Sequence, residues 1–453
     1  MRQKLKTSYN KNVVKLNIKV VALCLALLIL AGFSYFAPER SEQVKLTSSY
    51  PATVCPAIGN KVSAIAALTK SKINRRSIDG TSKRLNPGKS AVIALKDNAI
   101  LVEGNPGTSL TFANNGWKAV VPCSISNGEQ WFVGGSGAIT SKSILSIVNS
   151  GFSESSVEIE VYTPSTALEA KQVAIAPNST KSISVDTLAP GEDSLAIAVK
   201  TKSGRVSSFL FDERKKGLRS LGADYVAAVS APKKVLTIPA ISDLQGKAAV
   251  TGSTSNHILR LLVPGTIDAN IEVAINSNDG NFVPVGLSEL KVTSQKVVNI
   301  PLTFAPAKQA FSLTIKSDQP ILGSVLSSYT VGKSTEIAWA TAAENLDKLI
   351  FNLTGSKPKV AFAGKNINVV IQAVGTNGKK YNTTIKGSNF ATWQAPIGIN
   401  RIQFIAKSPE TSGGIILQPE SGGIGTSYIP LNTGANLEST SEPISDADVI
   451  SRG

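Results

Sequence analysis

SSVEIEVYT, residues 155–163, alternates apolar Val157, Ile159 and Val161 with polar Ser156, Glu158 and Glu160. Side chains repeat every second residue in an extended chain, so one face of this segment suits a core and the other suits water. The same device returns in SLAIAVKT (194–201), NIEVAINS (270–277) and FSLTIKS (311–317). Turn pairs punctuate these runs: Pro177-Asn178, Pro190-Gly191, Ser203-Gly204, Asp279-Gly280 and Asn377-Gly378. Such residues reach the backbone conformations of tight turns at low cost. Beyond residue 37 no segment has a convincing helical period, and ATAAENLDKL (340–349) is one short helical candidate. The exported part of the chain therefore reads as all-β.

The runs also repeat as a set. Lys118-AVVP resembles Lys234-VLTIP, with Pro122 and Pro239 lying 117 residues apart. WFVGGS from Trp131 parallels AAVTGS from Ala248, and ILSIVNSG from Ile144 parallels ILRLLVPG from Ile258. LAIAVKTKSG from Leu195 parallels FSLTIKSDQP from Phe311, and a weaker third copy begins near Asn366 and continues at Ile402. A repeat of this length is the size of one β-sandwich and far longer than a solenoid unit. The expectation is tandem β-sandwich (Ig-like) domains at 117–233, 234–345 and 346–434. A membrane-proximal β segment at 62–116 precedes them, and an acidic, disordered tail at 435–453 follows.

Toward the N-terminus, VVALCLALLILAGFSYFA (20–37) runs without a charge and is long enough to cross a bilayer as a helix. Arg2, Lys4, Lys6, Lys11, Lys15 and Lys19 come before it, with no acidic residue among 1–19. The positive-inside rule keeps that arm in the cytoplasm. Residues 20–37 then form a single transmembrane anchor, 38–61 a Pro/Ser/Thr-rich stalk, and the remainder is extracytoplasmic. A cleaved signal peptide is the competing reading, but Tyr35 is too large for the small-residue position such cleavage needs. Cys24 within the run is read as a small membrane-facing residue.

Two cysteines remain outside the membrane, Cys55 and Cys123, and exported thiols in even number usually pair. A bridge between them staples the stalk end to the first sandwich. The formal charge is +16, of which the arm supplies six. The rest is spread over lysines among Ser, Thr and Asn, which reads as a solvated surface or, alternatively, as attraction to anionic envelope polymers or headgroups. No basic stripe with interleaved aromatics points to nucleic acid.

Catalytic inventory is thin. His257 stands as the one histidine, without Cys or carboxylate neighbours in sequence to build a triad or a metal site. Asn276-Ser-Asn-Asp-Gly280 only faintly resembles a calcium loop and reads as a hairpin turn. Gly134-Gly-Ser-Gly137 lacks the ending of a phosphate loop and the spacing of a nucleophile elbow, so it reads as a turn or bulge. Trp131 is a core residue or, alternatively, an aromatic platform for a sugar or partner.

Cys55-Pro56 soon after the apolar run, a second Cys followed by WFVGGS, and the LxIVNxG pattern at 145–151 resemble the actinobacterial DUF5719 family over about residues 50–345. The resemblance implies a membrane-anchored envelope protein and brings no catalytic residue. The resulting expectation is a non-enzymatic, single-pass cell-envelope protein, acting as a scaffold or binding module without a cofactor. Its partners are the membrane and an envelope glycan or another envelope protein. One alternative is a carbohydrate-binding accessory of envelope-polymer assembly; another is a glycan hydrolase whose carboxylate pair is assembled in space.

Overall fold

The computed structural model describes residues 107–114, 117–243, 254–303, 310–417 and 425–432, with shorter pieces at 20–23, 25–26, 45–46, 53–56, 63–66, 73–78, 82–85, 99–102 and 440–441. Residues 1–47 and 439–453 form one compact unit and 48–438 another. In the first unit, residues 20–23, 25 and 26 are helical, and Val20, Val21, Leu23 and Leu25 are exposed. The rest of the 20–37 stretch, Cys24 included, lies outside the described residues, as do the 1–19 arm and most of the 38–61 and 435–453 segments. Lys45–Leu46 pairs antiparallel with Thr440–Ser441. No helix among the described residues is long and apolar enough to cross a membrane.

The second unit is nearly all β, the one helical element among its described residues being the single 3-10 turn Val185–Thr187. The 340–349 segment, expected as a short helix, instead ends a strand, runs as coil through 342–344 and 346, and starts the next strand at Lys348. Its backbone bonds explain the difference. Ala343 N donates to Thr237 O and Leu346 N to Thr411 O, so neighbouring strands take the groups a helix would use.

Alternation places the strands. Val157, Ile159 and Val161 of Ser155–Tyr162 are all buried, and Ser156, Glu158 and Glu160 between them are half-exposed. This strand joins Lys171–Ile175, Ala196–Ser203 and Glu129–Phe132 in one antiparallel sheet. A second sheet orders Ser179–Ser184, Ser141–Asn149, Val206–Lys216 and Arg219–Val226. Leu145, Ile147, Ile159, Ile197 and Leu210 fill one core between them.

The described strands of 233–341 follow this order, with Gly280–Phe282 added as a hairpin on Ala269–Ser277. Ala269–Ser277 flanks Phe311–Val331 as Ser155–Tyr162 flanks Ala196–Ser203. Val273 and Ile275 oppose Ile315 and Leu313, where Ile159 and Val161 oppose Val199 and Ile197. Thr254–Leu262 and Ser334–Thr341 flank the far half of Phe311–Val331 as Ser141–Asn149 and Arg219–Val226 flank Val206–Lys216. One 21-residue strand thus serves both sheets, where the first repeat uses two strands broken at Gly204. That glycine has φ +86°, and a Cβ there would come within 1.9 Å of Ser155 Oγ.

One sequence parallel resolves differently. Lys233–Ile241 does not match Trp117–Pro122. Ile238 and Thr237 oppose Leu313 and Thr314 as Phe132 and Trp131 oppose Ile197 and Ala198. Trp117–Pro122 pairs instead with Ser109–Asn114, in a three-stranded sheet with Ser63–Ala66. The AAVTGS segment at 248–253 lies outside the described residues.

The third region follows another order around Lys359–Gly375. This strand slips register between Gly364 and Ile367 against Lys380–Gln394 and exchanges its other neighbour, Ser412–Leu417, for Ile399–Ala406. Cores are shared across regions. The second repeat's core includes Ala361, Phe390, Ile416 and Tyr428, and the first takes in Trp339. The Cys55–Cys123 disulfide is present, with Cα atoms 4.4 Å apart, inside a cluster that joins Val54, Leu101 and Phe112 to Phe209, Phe211 and Tyr225.

Four edge strands converge at a buried polar seam: Arg219–Val226, Ser334–Thr341, Ser427–Pro430 and Trp117–Pro122. Their unpaired N–H groups find side-chain acceptors instead of a ladder. Asp224 accepts from Trp339 N at 2.9 Å and Ser427 Oγ at 2.7 Å, and also from the Tyr225 and Tyr428 backbone. Glu336 accepts from Ala223 N and Ile337 N at 3.0 Å each, and from the Lys118 backbone. Gly222 lies against this carboxylate at φ +114°, where a Cβ would stand 2.4 Å from Glu336 Oε1. Burial pushes Asp224 well above the usual carboxylate range and Glu336 up to about 9, against the bonds they accept. Burial also works to raise Asp212, but the charge of Arg214 and bonds from Ser143, Arg214 and Trp339 outweigh it and hold this carboxyl low. Arg260 closes the seam, stacked 5.0 Å from the Trp339 ring and donating to Gly135 O, Ser194 Oγ and Asn299 Oδ1 at 3.0 Å each.

Candidate functional site

The connections between regions, residues 227–232 and 342–347, run side by side. Ser230 Oγ donates to Glu344 Oε1 at 3.1 Å, and Lys233 pairs with Glu344 Oε2. Glu344 N donates to Asn432 Oδ1 at 2.9 Å, tying the third region to the same point. Two cavities open beside this junction, and Val229, Glu344 and Asn345 line both.

The first is a groove of about 570 Å³ between the second repeat and the third region. Lys233, Lys316 and Lys365 line it with Glu344 and Glu410, alongside the amides of Asn276, Asn281, Asn345 and Asn389. Among the described residues no aromatic ring lines it. Lys233 is held by Glu344, and Lys316 by Glu272 at 2.9 Å. Asn276 is buried and donates to Thr314 Oγ1 at 3.1 Å. The groove therefore offers ammonium groups and neutral amides to a polar or anionic ligand.

The second cavity, about 470 Å³, lies beside Cys123. Phe132, Phe209 and Phe351 sit buried at its base, with Pro122, Ala227 and Ala228 as less buried wall. Glu129 and Glu344 line it, and among the described residues no lysine or arginine does. Glu129 Oε1 is taken by the Trp131 indole N–H at 2.9 Å, and Gln130 exchanges two bonds with the Ser208 backbone.

Residues singled out in the sequence fall elsewhere. Trp131 is 3% exposed and packs on Tyr162 with ring centroids 5.9 Å apart, under Lys200 Nζ. A ring so covered presents no face to a ligand, so its place is in the core. His257 lies within the strand Thr254–Leu262, 6% exposed, with Nδ1 2.8 Å from Ser327 Oγ and its ring edge-on to Phe311. Burial draws its pKa down to about 4 against the pull of Asp243, so the ring is neutral at physiological pH. Asn276–Gly280 is a tight hairpin, with Ser277 opposite Gly280 and Asp279 N donating to Ser277 Oγ. The Gly134–Gly137 turn is a contact point, its Gly135 carbonyl accepting from Arg260. Among the described residues no three His, Cys, Asp or Glu side chains are grouped to hold a metal.

Glu344, Arg260 and Glu336 were not singled out from the sequence. A signal existed for Arg260, a lone charge inside the apolar run ILRLL, whereas Glu344 sat in the segment taken for a helix.

This is a β-layered protein whose repeats are joined at buried edges, with two cavities beside the linkers. The chain belongs to DUF5719, a family of unknown function, whose model matches residues 115–387. No curated protein matches it. Among solved structures, a tetra-tandem repeat from the extending region of a large adhesion protein aligns at 9% identity, over 85% of this chain and 94% of that one. Its TM-score is 0.09, too low to inform this fold.

Proposed function

We propose that this chain is a non-enzymatic, single-pass envelope protein whose β-rich ectodomain binds an envelope polymer or partner at the linker groove. The basic arm and the uncharged run at 20–37 support anchoring with the arm in the cytoplasm and the remainder outside. The observation that carries the binding reading is the groove itself, where three lysines and four amides from separate strands meet beside the linkers. This lining suits an anionic glycan, which favours the accessory of envelope-polymer assembly over a purely structural scaffold. A hydrolase needs two carboxyls available for proton exchange. Asp224 and Glu336 instead hold edge-strand N–H groups, and Glu344 is tied to Lys233 and Ser230.

The test is retention of the full-length protein on isolated cell-wall and membrane fractions. Salt-sensitive retention on wall glycan is expected, because neutralised charges release counterions. Retention by a single membrane protein, insensitive to wall removal, overturns the glycan reading in favour of a scaffold.

A further inference from the structure

Between residues 348 and 407 the chain carries nine lysines and arginines and not one Asp or Glu. Over the whole chain the ratio is 47 to 31, so this segment is set apart in charge. It forms most of the third region's sheet, where Lys348–Ser356, Ile399–Ala406, Lys359–Gly375 and Lys380–Gln394 lie side by side. The flanking carboxylates, Asp347 and Glu410, lie outside these strands.

Strand register places the charge on one face. Beyond the slip at Gly364, Val369, Ile371, Ala373, Ile402 and Phe404 enter the core, so the residues between them share the opposite face. Arg401 and Lys380 stand in one row there, both level with Val374. Gln403, Gln372 and Asn382 form the next row, and Lys386 lies further along the last strand. Lys380, Lys386, Gln372 and Asn382 are exposed. Arg401 is half-buried; burial draws its pKa down, and no described residue accepts a hydrogen bond from its guanidinium. Phe390, on the same side of the strand as Lys386, packs into the second repeat's core. The linker groove, lined by Lys365 and Asn389, lies at that border, and the open face continues from it.

The chemistry of the rows selects the ligand. No large apolar side chain is exposed on them, so they have nothing to insert into a bilayer. Amides donate and accept, as hydroxyls require, and the cations take acidic groups. Strand geometry sets Arg401 and Lys380 about 10 Å apart, and Lys380 and Lys386 about 20 Å apart. Cations so spaced, with neutral amides between, fit a chain whose acidic units alternate with uncharged ones. A polyphosphate, charged at every link, leaves the amide row unused.

We propose that this sheet face binds a linear acidic glycan, with acidic units at Arg401, Lys380 and Lys386 and the hydroxyls of neutral units on the Gln403–Gln372–Asn382 row. This rests on the envelope-polymer reading and extends it from the groove to the open sheet.

The test uses the full-length protein in a zwitterionic detergent and titrates it by calorimetry at low salt. The probes are hyaluronan oligosaccharides, in which uronate and neutral sugar alternate, with dextran, polyphosphate and anionic lipid vesicles as comparators. Hyaluronan is expected to bind and dextran not to. Gln372→Glu puts a carboxylate at the centre of the face without changing its shape and should weaken hyaluronan binding about tenfold, by like-charge repulsion. Gln372→Lys should bind at least as tightly as the parent. The Lys380→Gln, Lys386→Gln double variant should lose several-fold, and all three variants should keep the parent's thermal midpoint because the substituted side chains are exposed. Equal binding by Gln372→Glu and Gln372→Lys overturns the proposal, as does an effect of these variants confined to polyphosphate or vesicles. Absence of hyaluronan binding with wall retention intact, or binding lost in Lys233→Ala alone, sinks this inference and leaves the groove. Loss of wall retention as well sinks the reading beneath it.

Discussion

At the seam, Asp224 and Glu336 are wholly buried and each accepts several backbone N–H groups; at the linkers, Glu344 stays partly exposed and pairs with Lys233 and Ser230. Both places join the same regions with the same kind of side chain. Their difference follows from what each must satisfy. Four sheet edges meet at the seam, and their N–H groups would cost about 1–3 kcal/mol each if buried unpaired. Carboxyls that accept several bonds meet that demand even in neutral form. At the linkers neighbouring backbone already meets Val229, Ala343 and Leu346, so Glu344 has no row of N–H groups to satisfy, and it stays near water beside the groove. Closed junctions thus hold the regions together, and open ones are where a ligand can enter.

The largest separation of the two comes from Asp212→Ala. Asp212 is fully buried and accepts from Ser143 Oγ at 2.7 Å, Trp339 Nε1 at 3.0 Å and Arg214 Nε at 2.9 Å, the Arg214 side chain keeping 16% exposure. Its removal leaves a guanidinium and an indole N–H without their acceptor, a loss of about 3–5 kcal/mol by analogy with broken buried pairs. Urea denaturation should show a clearly lower midpoint. A shift under about 1 kcal/mol would mean that water reaches the seam, and the contrast with the linkers would disappear.

Glu336→Gln probes the same seam through pH. Burial pushes the folded carboxyl up to about 9, against its ordinary 4.5. Because the folded value is raised, the stability tied to the protonated form is complete below about pH 4.5 and drains away as pH rises toward 9. The slope is on the order of 1 kcal/mol per pH unit. Glutamine keeps an oxygen to accept from Ala223 and Ile337 but does not titrate. The variant should therefore gain on the parent steadily from pH 5 to pH 9, and parallel stability profiles would show that Glu336 is ionised at neutral pH. His257 acts in the opposite sense: its folded pKa, about 4, lies below the ordinary 6.5, so its contribution is present above 6.5 and lost as pH falls through 4.

The strands were legible because alternation is local: Val157, Ile159 and Val161 face inward just as their spacing requires. The cysteine pair was legible from its even number outside the apolar run. What escaped the sequence depends on non-local pairing. Lys118-AVVP and Lys234-VLTIP look alike, yet the choice of partner strand sends them to different places. Ala340–Leu349 has helix-favouring residues, yet Thr237 and Thr411 take its backbone bonds. Trp131 was ambiguous because an aromatic on a strand is equally suited to core and platform until its neighbours are known. The cavities escaped altogether, since each draws its lining from several separated strands and no short window contains one.

Lys233→Ala sharpens the other side of the comparison. The Lys233 and Glu344 side chains keep 45% and 30% of their exposure, so water and salt screen their attraction. Losing this pair should cost under about 1 kcal/mol of stability. Binding should respond more than folding does, because the substitution removes one of three lysines from the groove and frees Glu344 to repel an anion. Retention on wall glycan should weaken several-fold at low salt and converge with the parent at high salt. A loss of stability matching that of Asp212→Ala would break the distinction, since the linker would then be as closed as the seam. Unchanged stability with weakened, salt-dependent retention would place the binding charge in the groove and the holding charge in the seam.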